Sequence, residues 1–201
     1  MKKANYVLMV FLTMVLSFVL VACTQAQRKI EKTGEEQMET VFSEVEFIKF
    51  PKMKVAMHRI VSSNPEEDVM NYMDNWAKES GLLDVVDFTP RKFGWDYPHL
   101  TEEQKLKNLR GYELCYTLPE NFSPKIEGVD ILYIEADEYA VIKITDPFTN
   151  AFETIPNGWK KLSEFVMGSE YEPKHLNNRY VMEEVIEKDG IIYMYIYFPI
   201  K

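Results

Sequence analysis

Between residues 45 and 200 the same order of elements can be read twice, strand, helix, strand, strand, and this repetition limits the fold more than any other feature of the chain. Lys54-Val55-Ala56-Met57 answers Tyr139-Ala140-Val141-Ile142, Trp76 answers Trp159, and Leu118-Pro119 answers Phe198-Pro199, all at nearly constant spacing. Either half alone would leave a sheet face uncovered, so the two halves are expected to pair. The fold class that follows is α+β: duplicated strand-helix-strand-strand modules forming antiparallel sheets, with two helices on one side and a ligand groove between the modules.

The individual elements follow from local pattern. Residues 45–60 read as one long or bent strand broken at Pro51. Ser63-Asn64-Pro65-Glu66-Glu67 gives a helix start with a capping side chain, Pro in the first turn and acids near the positive end of the dipole. That helix is expected to run to about Ser80 and stop at Gly81, with Val69, Met70, Met73, Trp76 and Ala77 on its buried face. Residues 91–97 are strand-like, and Thr101 to Gln104 has the form of a capping box. Strands are expected at 111–118, 129–134, 139–144, 180–188 and 191–200. The last two are joined at Lys188-Asp189-Gly190. A second helix is expected from Pro156 to about Ser169, with Trp159, Leu162, Phe165 and Val166 on its apolar face.

The N-terminus has a different grammar. Lys2 and Lys3 precede an almost wholly apolar stretch from Tyr6 to Ala22, the order of a secretory signal. Its end, Leu20-Val21-Ala22-Cys23, resembles a bacterial lipobox, in which Cys23 is lipidated and becomes the first mature residue. A single membrane-spanning helix is the competing interpretation, because 17 residues sit at the short end of the roughly 17–25 that span a bilayer; the position of the Cys favours the lipobox. Residues 1–22 are therefore expected to be a signal peptide and residues 23–42 a lipidated Cys with a flexible polar spacer. A ligand-binding domain over 43–201 would then be held at the cell envelope by acyl chains such as palmitate, outside the cytoplasm.

Charge narrows the partners. The full chain has 23 basic and 32 acidic residues, and removing residues 1–22 leaves 21 basic against the same 32 acids, net −11. No nucleic acid is expected, since phosphate backbones need clustered Lys and Arg. The membrane is expected as a partner only through the anchor, because an acidic surface is repelled by anionic lipid. His58, His99 and His175 are scattered, so no metal is expected, and no cofactor motif is present. Cys115 is read as a buried structural thiol.

Several segments together resemble the GyrI-like small-molecule-binding domain, the effector-binding half of many AraC-type and multidrug-sensing regulators. They are Lys54-Val55-Ala56, Phe93-Gly94-Trp95-Asp96-Tyr97, Gly111-Tyr112-Glu113-Leu114-Cys115, Glu138-Tyr139-Ala140-Val141, Gly158-Trp159-Lys160-Lys161-Leu162, Met182-Glu183-Glu184 and the terminal Phe198-Pro199-Ile200-Lys201. The resemblance implies organic ligands bound in a groove between paired modules. It also implies a central glutamate in the penultimate strand, here Glu183; the Tyr often found two residues on is replaced by Val185. Trp95, Tyr97, Tyr112 and Tyr139 fall in the pocket-forming segments and are expected to bind the ligand with Glu183. Trp76 and Trp159 are read as core. In the last strand Tyr193, Tyr195 and Tyr197 alternate with aliphatic residues. The aliphatic face is expected to meet the helices, and the tyrosine face either lines the groove or covers the outer sheet.

Two function classes follow. One is a binding or sensing protein for an amphipathic, possibly cationic, small organic molecule, with Glu183 solvating the charge. The other is a hydrolase of strained, cyclopropane-type or other small toxic organics, as some relatives in the family resemble. There Glu183 would serve as base and Tyr112 or Tyr97 would orient water or substrate. No catalytic residue follows from a Ser-His-Asp or Cys-His pattern. The non-catalytic class is the expectation.

Overall fold

The computed structural model describes residues 41–171 and 180–201. The signal segment, Cys23 and the spacer as far as residue 40 lie outside them. Eight strands form one antiparallel sheet: β1 (Glu46–Phe50), β2 (Met53–Ser62), β3 (Lys92–Asp96), β4 (Arg110–Thr117), β5 (Asp130–Ile134), β6 (Asp137–Thr145), β7 (Met182–Lys188) and β8 (Ile191–Ile200). Their spatial order is β1-β6-β8-β7-β3-β4-β2-β5. The helices are α1 (Pro65–Glu79), the short α2 (Glu102–Leu106) and α3 (Ala151–Gly168). Instead of two sheets meeting, the chain builds one continuous sheet, whose halves join at β3 and β7 through the register pair Gly94 and Glu183.

Pro51 does more than bend a strand. β1 leaves its sequence neighbour to pair with β6, while β5, just before β6, pairs with β2. Residues 45–60 are therefore two strands at distant places in the sheet, and 129–144 likewise. Pro has no N–H for a ladder, so it marks the point where the chain changes partners.

Helix α1 buries Val69, Met73, Trp76 and Ala77 against Ala56, Leu114 and Tyr116, at the expected spacing. Met70 is 46% exposed and falls outside that face. Asn64 makes no side-chain cap; its amide bonds Glu67 instead. Gly81 follows the helix with φ +82°, a conformation that suits glycine. Helix α3 starts five residues before Pro156, continuing from a 3-10 turn at Pro147–Asn150. Near a helix start the missing N–H of Pro156 removes one bond, and the residue lies on the exposed side. The α2 capping box is present, with Thr101 and Gln104 bonding each other's backbone N–H. Asp189 and Gly190, both at positive φ, close the β7–β8 hairpin.

Both long helices cover one face. The side chains of Ala56, Leu114, Ile144 and Ile196 point toward them; a Cβ on Gly158 of α3 would come within 2.5 Å of Ile144 Cδ1. The opposite face holds Phe50, Val55, Phe93, Trp95, Cys115, Tyr139, Met182 and Tyr197 in a second apolar cluster. Phe50 on β1 lies 5.6 Å from Phe93, ring to ring, although four strand spacings of about 4.8 Å separate β1 from β3 in the sheet order. The sheet must therefore curl, closing its helix-free face on itself. The aliphatic face of β8 meets α3 as expected, and the tyrosine face belongs to this interior. Cys115 is fully buried, and burial pushes its thiol up to about 12.

Candidate functional site

Two of the sequence-predicted ligand residues come together on the helix-bearing face. Glu183 Oε2 accepts a hydrogen bond from Tyr112 Oη at 3.1 Å, and its Oε1 accepts one from Trp159 Nε1 at 2.8 Å. Burial raises the Glu183 carboxyl above the ordinary glutamate range, opposed by these two hydrogen bonds. Burial and the neighbouring carboxylate raise the Tyr112 phenol well above its usual value, so it stays protonated and donates. Trp159, expected in the core, is only half-buried, and its indole N–H is committed to Glu183. The signal that could have found it is chemical: an indole N–H near an apolar core needs an acceptor.

Gly94 makes this arrangement possible. The Tyr112 ring lies across it, and a Cβ there would approach Tyr112 Oη to 2.4 Å. Gly94→Ala should therefore cost about 1–3 kcal/mol in urea unfolding through overpacking. In a Tyr112→Ala background most of that penalty should vanish.

The other three predicted residues stand on the opposite face. Trp95 donates to the buried carboxylate of Glu113, and Tyr180 stacks on it at 4.3 Å between ring centres. Tyr97 carries the Arg59 guanidinium 3.7 Å above its ring, and Arg59 Nε donates to Glu113 at 2.7 Å. Tyr139 is buried in the interior cluster, where burial pushes its phenol up to about 12. Strand alternation explains the division. Trp95 and Tyr97 are odd neighbours of Gly94, and Tyr139 shares its face with Val141 and Tyr197. Trp95, Tyr97 and Tyr139 are thus separated by the sheet from Glu183 and Tyr112.

The interior face also claims Glu184. It is 3% exposed, takes Arg91 Nε at 2.8 Å and Nη2 at 2.6 Å, and accepts from Tyr197 Oη at 2.5 Å. Strand alternation puts Glu183 and Glu184 on opposite faces of β7, and both faces are covered here, so neither acid is simply solvated. Each interior acid, Glu113 and Glu184, has an arginine. Among the described residues Glu183 has no ion pair; its donors are neutral. The described residues contain no cluster of metal-ligating side chains and no helix long and apolar enough to cross a membrane. An open hollow of about 770 Å³, lined by His58 and residues 123–131, contains none of the predicted site residues.

Comparison with known proteins follows the same lines. A family model for the GyrI-like small molecule binding domain matches residues 43–201. The chain belongs to the GyrI-like family. Among solved structures, the crystallised C-terminal domain of EcmrR shares 14% identity at a TM-score of 0.57, over 79% of this chain and 97% of that one. EcmrR in its cryo-EM complex with DNA matches at the same identity and score over 88% of this chain; the GyrI-like chain spans 65% of that protein's length. A hydrolase from Listeria innocua matches at 11% identity and a TM-score of 0.51, covering 85% of this chain and 98% of its own. At these identities the likeness is one of fold. No curated protein matches the chain.

Proposed function

We propose that this GyrI-like protein captures or senses an amphipathic organic cation at Glu183, with Trp159 and Tyr112 as its immediate aromatic neighbours, and performs no chemistry on it. The observation that carries this reading is the contrast among three acids removed from water. Glu113 and Glu184 are each neutralised by an arginine, while Glu183 is held by two neutral donors. A desolvated carboxylate with no counter-charge among the described residues favours a ligand that brings one, and the indole and phenol beside it add cation–π attraction. Calorimetric titration with lipophilic monocations and with neutral and anionic molecules of matched shape tests it. Cations should bind and the others should not; equal binding of all three classes would refute it.

A second reading rests on the same pair. A carboxyl raised toward neutrality beside a protonated phenol is the equipment of a general base and an orienting group. Glu183 would then take a proton from water attacking a strained ring, in keeping with the hydrolase alternative. Recovering a bound ligand unchanged after long incubation favours binding; turnover lost in Glu183→Gln with binding retained favours the enzyme.

The proposed setting is the cell envelope. Cys23 would carry the lipid, residues 1–22 would be removed, and 23–42 would act as a spacer for the domain over 43–201, outside the cytoplasm. Mass spectrometry of detergent-extracted protein should find an acylated N-terminal Cys23. An intact 1–22 segment would refute the anchor. The order β2-α1-β3-β4 and β6-α3-β7-β8 supports duplicated modules with the ligand groove at their junction, and superposing 54–119 on 139–199 tests the duplication.

A further inference from the structure

The Glu183 site has a second carboxylate near it whose side chain bonds no partner among the described residues. Asp96 closes β3 two residues after Gly94, and Gly94 is the register partner of Glu183, so the side chains of Asp96 and Glu183 leave the same face of the sheet. Asp96 is also the direct cross-strand partner of Tyr112, whose hydroxyl reaches Glu183. Diagonal neighbours across adjacent strands stand about 7–8 Å apart. The guanidinium nearby is already committed: Arg110 forks onto Glu66 of α1 with both bonds at 2.6 Å. Among the described residues the side chain of Asp96 makes no hydrogen bond or ion pair; it is exposed at the strand end, and its carboxyl is raised by partial burial and the Glu66 charge, opposed by the Arg110 charge.

We infer that Asp96 is a second anchor of the Glu183 site, which makes the preferred ligand a dication: one positive group against Glu183 beside Trp159, the other against Asp96 at the end of β3. This rests on the cation-binding reading of Glu183 and specifies its ligand class. Register fixes the separation of the two acids, so the preference must depend on the distance between the ligand's charges. A monocation engages Glu183 alone. A dication whose linker matches the acid spacing gains a second, effectively intramolecular contact.

The experiment titrates the protein with bis(trimethylammonium) alkanes of increasing linker length, each against an alkyltrimethylammonium control of equal chain length. Affinity for the dications should pass through a maximum at an intermediate linker, where it exceeds the control by about threefold to tenfold, a partly exposed pair being worth less than a buried one. Asp96→Asn, isosteric and at the protein surface, should abolish that maximum, while the monocation controls, which feel Asp96 only as a neighbouring charge on Glu183, shift by the same small factor at every chain length. Asp96→Lys should push the dications below their controls. A linker dependence that survives Asp96→Asn, or no linker dependence at all, overturns the second anchor while the monocations still bind through Glu183. If neither series binds, the cation reading of Glu183 itself falls. Thermal unfolding of each variant confirms that the fold is retained.

Discussion

Glu183→Gln is expected to make the empty protein more stable and a poorer cation binder at once. The stability sign follows from proton linkage. Burial raises the Glu183 carboxyl in the folded state above its unfolded value, so across the window between the two the native form holds more proton than the unfolded form, and stability falls as pH rises. At neutral pH the folded chain carries a desolvated negative charge, and the amide removes it while keeping an oxygen for Trp159 Nε1 or Tyr112 Oη. The variant should unfold at a higher temperature than the parent at pH 7, and the two should converge as the pH drops below the unfolded glutamate range. Affinity should move the other way. Loss of a charge-assisted contact worth roughly 1.5–3 kcal/mol weakens a monocation about 10- to 100-fold, with little effect on a neutral molecule of the same shape. Affinity for cations should also fall in the parent as pH is lowered through the raised Glu183 range, and in Glu183→Gln that pH dependence should be absent. A variant that loses both stability and binding would mean that Glu183 is a structural acid. Stability surrendered at a site that needs charge is the usual trade between function and fold.

Two of the five residues expected at this site, Glu183 and Tyr112, come together, and the parts that were missed share one cause. Apolar spacing places Val69, Met73, Trp76, Leu162 and Val166 correctly, because helix periodicity is local, while Met70 and Phe165, expected on the same faces, are exposed. Glu183 and Tyr112 fall in segments that resemble the family's pocket, and they do meet. What sequence pattern does not carry is which strand lies beside which. The partner exchange at Pro51 is invisible locally, since β1 reads as a plausible extension of β2 until its pairing with β6 is known. The curl of the sheet is equally non-local, and it decides that Trp95, Tyr97 and Tyr139 line an interior face while Glu183 stands on the other. Strand parity alone could have separated Trp95 from a Gly94-side site once the Gly94–Glu183 register was fixed. Glu113 carried a usable signal of its own: an acid inside Gly111-Tyr112-Glu113-Leu114-Cys115, where both strand faces are otherwise apolar or aromatic, requires a partner. That partner, Arg59, and the corresponding Arg91 of Glu184 come from other strands or loops, at sequence separations of 54 and 93.

Breaking the Arg91–Glu184 pair is expected to destabilise the fold by about 3 kcal/mol. Arg91 binds both oxygens of Glu184, lies 3.2 Å from Tyr197 Oη, and sits 4.9 Å and 4.7 Å from the ring centres of Phe50 and Phe93. It therefore ties β7 and β8 to β1 and β3, the strands that the curl brings together. Arg91→Met keeps the apolar stem but strands a carboxylate that is almost wholly buried. Breaking a buried pair from one side costs roughly 3–5 kcal/mol, and the lower end applies because the Arg91 side chain is 41% exposed. For a domain of this size about 3 kcal/mol corresponds to a melting temperature lower by roughly 6–12 °C. The double variant Arg91→Met with Glu184→Gln, which removes the orphaned charge, should recover most of the deficit. Losing the partner and losing the charge are thus distinguishable by one cycle of melts. If Arg91→Met and the double variant melt alike, the cost lies in the cation–π packing over Phe50 and Phe93, and the ion pair contributes little. Cation affinity at Glu183 serves as the internal reference: Glu184 faces the other side of β7, so any Arg91 variant that remains folded should bind monocations as the parent does, and a variant that fails to do so would show that the two faces of the central strand are coupled.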